Sequence, residues 1–190
     1  ALYRIAKDRS EAERIADKHG ITREEQDVFA AASQARVAAS RDAFAREIIP
    51  VGQVIADEHP RADTTVESLA KLKPAFRKDG TVTPANSSSI SDGAAALVLM
   101  RASTAAAKGL TPIAKIVGHS THAHQPALFA TAPVGAMQKL LAKTGWTTAD
   151  VDLWEINEAF AVVTMAAIHD LKLDPAKVNI HGGACALGHP

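Results

Sequence analysis

Residues 151–190 read VDLWEINEAFAVVTMAAIHDLKLDPAKVNIHGGACALGHP. Val151 to Ile156 has the make-up of a strand, Glu158 to Leu171 that of a mostly apolar helix, and Val178 to Ile180 that of another short buried strand. Strands alternating with helices in this way are the unit of layered α/β domains. Working outward, Pro133 to Thr144 predicts a helix with proline in its first turn and Gly145 just past its end. Val134, Met137, Leu140 and Leu141 fall on one of its faces. Ala94 to Met100 is an uninterrupted apolar run, as expected of a strand covered on both faces. A short alanine helix follows from Ser103 to Gly109, and Ile113 to Gly118 predicts a further strand.

The stretch before Pro50 reads as helical. Ser10 is placed to cap a helix through His19, with Gly20 ending it, and Thr22-Arg23-Glu24-Glu25 has the spacing of a capping box. Val28, Ala32, Ala35 and Ala39 recur at helical spacing and predict a small-residue packing face, with Arg36, Arg41 and Asp42 solvated. From residue 51 to 80 the texture is irregular. A short strand over Val51 to Ala56, a loop over Asp57 to Arg61 and a short helix over Thr65 to Leu72 are expected, and Asp79-Gly80 marks a turn.

Composition narrows the function classes. Apolar residues make up 47% and charged residues 22%, as in a folded protein. The 21 basic and 21 acidic residues cancel, so no broad attraction to nucleic acid or anionic membrane follows, and 4% aromatic content argues against a base-stacking surface. No apolar run reaches the roughly 18 to 20 residues of a membrane span. No signal-peptide pattern opens the chain, and a cytoplasmic location is expected. Cys185 is the sole cysteine, so an internal disulfide is excluded. Both ends read as cut: the chain opens within helix-like sequence and stops at His189-Pro190.

Four segments carry candidate chemistry. His181-Gly182-Gly183-Ala184-Cys185-Ala186-Leu187-Gly188-His189-Pro190 follows a buried strand, and its glycines permit close backbone approach to a ligand. A histidine on such a turn serves as a base near neutral pH, donates to a developing oxyanion, or is structural. Asn157-Glu158-Ala159-Phe160 lies at a strand-to-helix junction, where Asn157 either caps the helix or points into a site. Thr81 to Gly93 is a polar loop feeding the apolar run, and Asp57 to Phe76 carries Arg61 and Ser68. Cys185 has no activating group in its sequence context and reads as a small buried apolar residue. His119, His122 and His124 invite a metal reading, but no cysteine or carboxylate set accompanies them and no metal site is expected.

Taken together, the four segments resemble the thiolases, the acyl-CoA acetyltransferase family. Asn157-Glu158-Ala159-Phe160 is similar to the family's NEAF box and Gly182 to Pro190 to its GGxxxxGHP box. Thr81 to Gly93 is similar to its TVTxxNxSxxxDGAAA segment, with Pro84 and Ser89 where small or glycine residues are usual. The resemblance runs from about Ile21 to Pro190. It implies an α/β thiolase-like layered fold, helices around a mixed sheet, incomplete here. Residues 1–80 would be part of the inserted, CoA-binding loop domain and residues 81–190 most of the C-terminal half-domain.

The resemblance also implies roles. His189 would activate the nucleophilic cysteine and help bind the thioester oxygen, and Asn157 would hold the water that completes the oxyanion hole. Ser88 would approach the pantetheine and thioester end of coenzyme A, and Arg61 and Ser68 its nucleotide end. Phe76, Ala159 and Phe160 would line the pantetheine channel. An arginine suits phosphate recognition and an apolar tunnel suits the uncharged arm.

The implied activity is acetyl-CoA C-acetyltransferase through an acyl-cysteine intermediate. The alternatives are a 3-ketoacyl-CoA thiolase of fatty-acid degradation and a noncatalytic CoA-binding or assembly subunit. Coenzyme A thioesters would be substrates, with no cofactor, and the assembly a homo-oligomer, a dimer of dimers. The family's two reactive cysteines fall outside these residues, Cys185 being neither, and Lys7 to Ser10 stands where a His-Met-Gly loop is usual. The chain is therefore expected to be about half of a thiolase and inactive alone.

Overall fold

The structure, a computed structural model, describes residues 10–190; the loop expected at residues 7–9 and the capping side chain of Ser10 lie outside what is described. Helix α1 spans Ser10–His19 and α2 Arg23–Ala39. They are separated by Gly20 at φ +65°. The capping box forms: Glu25 N donates to Thr22 Oγ1 at 3.2 Å and Thr22 N donates to Glu25 Oε2 at 2.7 Å. The short helices α3 (Arg41–Phe44), α4 (Val66–Leu69) and α5 (Ala102–Ala107) follow. Then come α6 (Ala132–Thr144), α7 (Ala161–Leu171) and α8 (Ala184–Leu187). Gly145, at φ +73°, ends α6 in the left-handed conformation that glycine adopts without a Cβ penalty.

Helix α7 is the centre of the molecule. Ala161, Val162, Thr164, Ala166 and Ala167 are all fully buried, the signature of a helix covered on every side. Val162, Val163 and Ala166 pack with Ala12, Ile15 and Ala16 of α1 and with Val82 and Ala130. Ala167 packs on its other side with Val134 of α6, Trp154, Ile156, Leu173 and Val178. Burying each of the larger side chains contributes about 1.5–3 kcal/mol. The helix begins at Ala161 and not at Glu158 as predicted, because residues 157–160 are held by other segments.

The strands are shorter than predicted. Residues 154 and 178 pair in parallel through one isolated bridge, with Trp154 N donating to Lys177 O and Asn179 N to Trp154 O, each at 2.8 Å. The pairing stops there because Asn179 turns to φ +47° and its side chain takes over. Oδ1 accepts from Ile156 N and Nδ2 donates to Ile156 O, each at 2.8 Å. Val51 and Val54 form only a tight antiparallel bridge around Gly52 at φ +60°. The apolar runs at 94–100 and 113–118 form no ladder among the described residues and are uncovered, with Leu97 87% and Val98 87% exposed. A buried strand requires neighbours for both its backbone and its faces, and no described segment supplies them.

The face that α2 buries is also not the one predicted. Val28 is 50% exposed, and Gln26, Asp27, Ala30, Ser33, Gln34 and Val37 are buried in its place. Four of these six are polar, and each is spent on another segment. Gln26 Nε2 donates to Thr81 Oγ1 at 2.9 Å, and Asp27 Oδ1 accepts from Asn86 Nδ2 at 3.0 Å. Ser33 Oγ donates to Glu158 Oε2 at 2.7 Å, and Gln34 Oε1 accepts from Arg61 N at 2.7 Å. Arg36, predicted to be solvated, donates from Nη1 to Val178 O at 2.8 Å. Each such bond is worth about 1 kcal/mol net, but a buried partner left unpaired costs about 1–3 kcal/mol. This specificity makes α2 a spine on which the loops at 61, 81–86, 158 and 178–185 are hung.

Candidate active site

Three of the four sequence segments meet through backbone pairing, and the fourth reaches them at Phe76. Ser88 donates to Ala159 O twice, from its backbone N at 3.1 Å and from Oγ at 3.0 Å. Ala161 N donates to Asn86 O at 2.9 Å and His189 N to Ser89 O at 3.0 Å. Residues 87 and 160 pair antiparallel and residues 90 and 189 parallel, so the 81–93 loop runs between the other two segments and aligns both. Asn86 fixes that loop from within: its Oδ1 accepts from Thr83 N at 2.7 Å.

At the junction Asn157 Nδ2 lies 3.1 Å from His189 Nε2. Phe160, not Asn157, is the cap residue of α7, so Asn157 is free to face the histidine. Both side chains are exposed. An amide nitrogen only donates, so in this pair Nε2 accepts through its lone pair and the ring hydrogen lies on Nδ1. That is the state of a general base. Beside Asn157 opens a cleft of about 570 Å³, walled by Phe44, Glu155, His181 and Leu187. Burial pushes the Glu155 carboxyl up; the neighbouring His181 opposes the shift and Glu158 adds to it. Phe76 and Phe160 meet edge to face at 6.3 Å, forming an apolar wall beside Ala159.

Residues 9–103 match the model of the thiolase N-terminal domain and residues 110–190 that of the thiolase C-terminal domain. The chain belongs to the thiolase family. It is 50% identical to an acetyl-CoA acetyltransferase of Pseudomonas aeruginosa, over 94% of this chain and 48% of that protein. It is 49% identical to the Escherichia coli acetyl-CoA acetyltransferase with the same coverage. The structure of human mitochondrial 3-ketoacyl-CoA thiolase in complex with CoA superposes with a TM-score of 0.92 at 44% identity, covering 95% of this chain and 47% of that one. The Bacillus anthracis acetyl-CoA acetyltransferase gives 0.90, also at 44% identity, covering 95% and 48%. The predicted thiolase-like fold is thus the fold matched, while the mixed sheet expected with it is present among the described residues only as isolated bridges. The chain spans about half the length of the relatives it matches.

Within this thiolase framework the sequence-predicted residues divide into two groups. His189, Asn157, Ser88, Ala159, Phe160 and Phe76 are brought together by the contacts above. Arg61 and Ser68 stand apart. Arg61 is exposed and tethered through its backbone to Gln34, whose Nε2 in turn donates to Cys185 O at 3.5 Å. Ser68 is exposed and caps α4 reciprocally with Thr65, its Oγ donating to Thr65 O at 2.7 Å. His181 is anchored structurally, with Nδ1 2.7 Å from Ser40 Oγ and its ring against Phe44. His122 and His124 stack edge to face, and His124 Nδ1 accepts from Gln125 N at 3.0 Å.

Cys185 is 2% exposed and its thiol donates to Glu158 O at 3.7 Å. Burial pushes the thiol well above its ordinary pKa, and the Glu158 carboxylate adds to the shift. A nucleophilic cysteine is shifted the other way.

Glu158 is the residue that sequence reasoning missed. It is 1% exposed, and its carboxylate accepts from Ser33 Oγ at 2.7 Å, Cys185 N at 3.1 Å and Asn179 Nδ2 at 2.9 Å. It thereby ties the spine to the glycine turn that carries His189. The available signal was a lone acid between a strand pattern and an apolar helix. Gly183 lies against this carboxylate: a Cβ there would sit 2.5 Å from Glu158 Cδ. Gly183→Ala is therefore expected to destabilise the protein by about 1–3 kcal/mol, measurable as a lowered denaturation midpoint.

Proposed function

We propose that the intact protein is an acetyl-CoA C-acetyltransferase. It would condense two acetyl-CoA to acetoacetyl-CoA with release of coenzyme A, and run in reverse as thiolysis. The Asn157–His189 pair carries this reading, supported by the names of the relatives. The Nε2 lone pair, exchanging its bond from the Asn157 amide for the attacking thiol, would take that thiol's proton. An acyl group then passes from the coenzyme A thioester to that sulfur, and the departing coenzyme A takes a proton. The Asn157 amide and the imidazole flank the position where negative charge develops on the thioester oxygen.

Ser88, Ala159, Phe160 and Phe76 form the wall along which the pantetheine arm would lie, with Arg61 and Ser68 toward the nucleotide end. Coenzyme A thioesters are then substrates, and no resident cofactor is required. The assembly would be a homo-oligomer, as proposed from the family resemblance. A second reading, a 3-ketoacyl-CoA thiolase acting on longer chains, is favoured by the superposition on the human mitochondrial enzyme.

Thiolysis of acetoacetyl-CoA and of a longer 3-ketoacyl-CoA, assayed side by side in the protein as its gene encodes it, separates the two readings. A kcat/KM higher for acetoacetyl-CoA is expected; a higher value for the longer chain would replace the first reading by the second. Absence of any thiolysis would leave a CoA-binding subunit and overturn both. Cys185→Ala is expected to keep activity within about threefold, because a buried thiol of raised pKa is not the attacking group. Activity lost in this variant, with folding intact, would make Cys185 the nucleophile.

A further inference from the structure

Far from the Asn157–His189 pair, at the opposite end of α7, His19, His169 and Asp170 converge. Eleven residues of helix put about 16 Å between the two ends. Each of the three side chains offers one ligand atom, and these atoms lie within 4.8 Å of one another; among the described residues it is the only such group of three.

The hydrogen-bonding geometry of His19 leaves a position to be filled. Its Nδ1 lies 3.0 Å from Ile15 O, and a carbonyl only accepts, so Nδ1 carries the hydrogen. Its Nε2 then faces the Asp170 carboxylate, 3.2 Å from Oδ1 and 3.3 Å from Oδ2. A lone pair aimed at two acceptor-only oxygens is repulsive. The contact requires either a second proton on the ring or a cation between the groups. The His19 side chain is only 5% exposed, so this position is enclosed by the fold and not on open surface. A metal ion in that position removes the conflict, with Nε2 as one donor and the carboxylate as another. An imidazole whose other nitrogen donates to a backbone carbonyl is the usual arrangement of a metal-bound histidine.

The remaining groups agree. His169 Nδ1 lies 3.0 Å from Asp170 Oδ1, and its ring meets that of His19 edge to face at 5.6 Å. His19 is in the last turn of α1 and His169 in the last turn of α7, so two helix C-termini direct their negative ends toward the cluster.

We propose that His19 Nε2, His169 Nδ1 and the Asp170 carboxylate bind one divalent transition-metal ion. Two imidazoles and a carboxylate, with a position left for water, match the donor preference of zinc. The ion would staple the end of α1 to the end of α7, the two helices whose apolar faces share a core cluster. Its role is structural and independent of the thiolase chemistry. The sequence does not predict it, because residues 19 and 169 are joined only by the fold.

The test is titration of Zn²⁺ into the metal-free protein, in the form its gene encodes, read by calorimetry and by thermal denaturation. Co²⁺ serves as the visible-absorption probe of nitrogen and oxygen ligation. One equivalent is expected to bind and raise the denaturation midpoint. The His169 side chain is 71% exposed, so His169→Ala does not threaten folding. It and Asp170→Asn are each expected to weaken Zn²⁺ by about tenfold or more and to remove the Co²⁺ band, with thiolysis unchanged. Absence of stoichiometric binding, or equal affinity in parent and variants, would overturn the proposal. So would ring resonances showing His19 protonated at both nitrogens and unmoved by Zn²⁺.

Discussion

His189→Ala is expected to lower thiolysis by about 10³-fold, within the range by which a positioned acid or base contributes to catalysis. The loss should fall on kcat, because the ring is proposed to act on the thiol proton and on the developing charge, not on the coenzyme A body. Asn157→Ala is expected to cost about 10²-fold, as for a single oxyanion donor. Both side chains are exposed, so neither change should move stability by more than about 0.5 kcal/mol. The double variant should lose far less than the product of the single losses. The two groups are 3.1 Å apart and act as one unit. Purified variants assayed with acetoacetyl-CoA, with denaturation curves run alongside, provide the check. Near-parental activity of His189→Ala would remove the pair from the chemistry altogether.

The legible parts of this molecule are those encoded by local rules. The apolar helix ends at Leu171 as predicted although it starts three residues late, and the capping box at Thr22–Glu25 and the C-terminal glycine of α6 stand where the sequence puts them. So does the meeting of the 81–93, 157–160 and 182–190 segments, which the family resemblance implies and the backbone bonds realise. What misled was the equation of buried with apolar. The small residues Ala35 and Ala39 of α2 face outward, while Gln26, Asp27, Ser33 and Gln34 are buried, because each side chain finds its partner far along the chain. Helical periodicity of apolar residues is blind to a helix whose inner face is a row of hydrogen-bonding groups. The opposite error occurs at 94–100, where the residues are apolar but no described neighbour covers them. Pairing is a property of the partner as much as of the strand. Arg36 failed for a related reason: an arginine spends its charge on backbone carbonyls wherever a loop presents them.

Glu158→Ala is expected to be the most destabilising single change at the site, by about 3–5 kcal/mol, in the range that follows loss of a buried hub. The carboxylate oxygens satisfy three donors from three segments: Ser33 of the spine, Asn179 at the left-handed turn and the Cys185 amide at the start of α8. Alanine leaves all three without that acceptor in a place where water has little access, and Ser33 in turn orients the Gly183 amide at 3.0 Å. Glu158→Gln is the sharper test, because it keeps the volume and one carbonyl oxygen. Its amide can accept at one side only and presents hydrogens to the other. If Oε1 is kept toward Asn179, the NH₂ group faces the Cys185 amide hydrogen; if reversed, it faces the NH₂ of Asn179. One donor–donor clash survives either way, so a smaller loss, about 1–3 kcal/mol, is expected. The turn that positions His189 should loosen with it. Activity should therefore fall further than the unfolded fraction accounts for, even though Glu158 is buried behind the turn and takes no part in the proposed chemistry. Denaturation midpoints and kcat measured on the two variants provide the check. Parental stability in Glu158→Gln would mean that the buried amide finds both an acceptor and a donor, and that the three-donor arrangement is not what holds the turn.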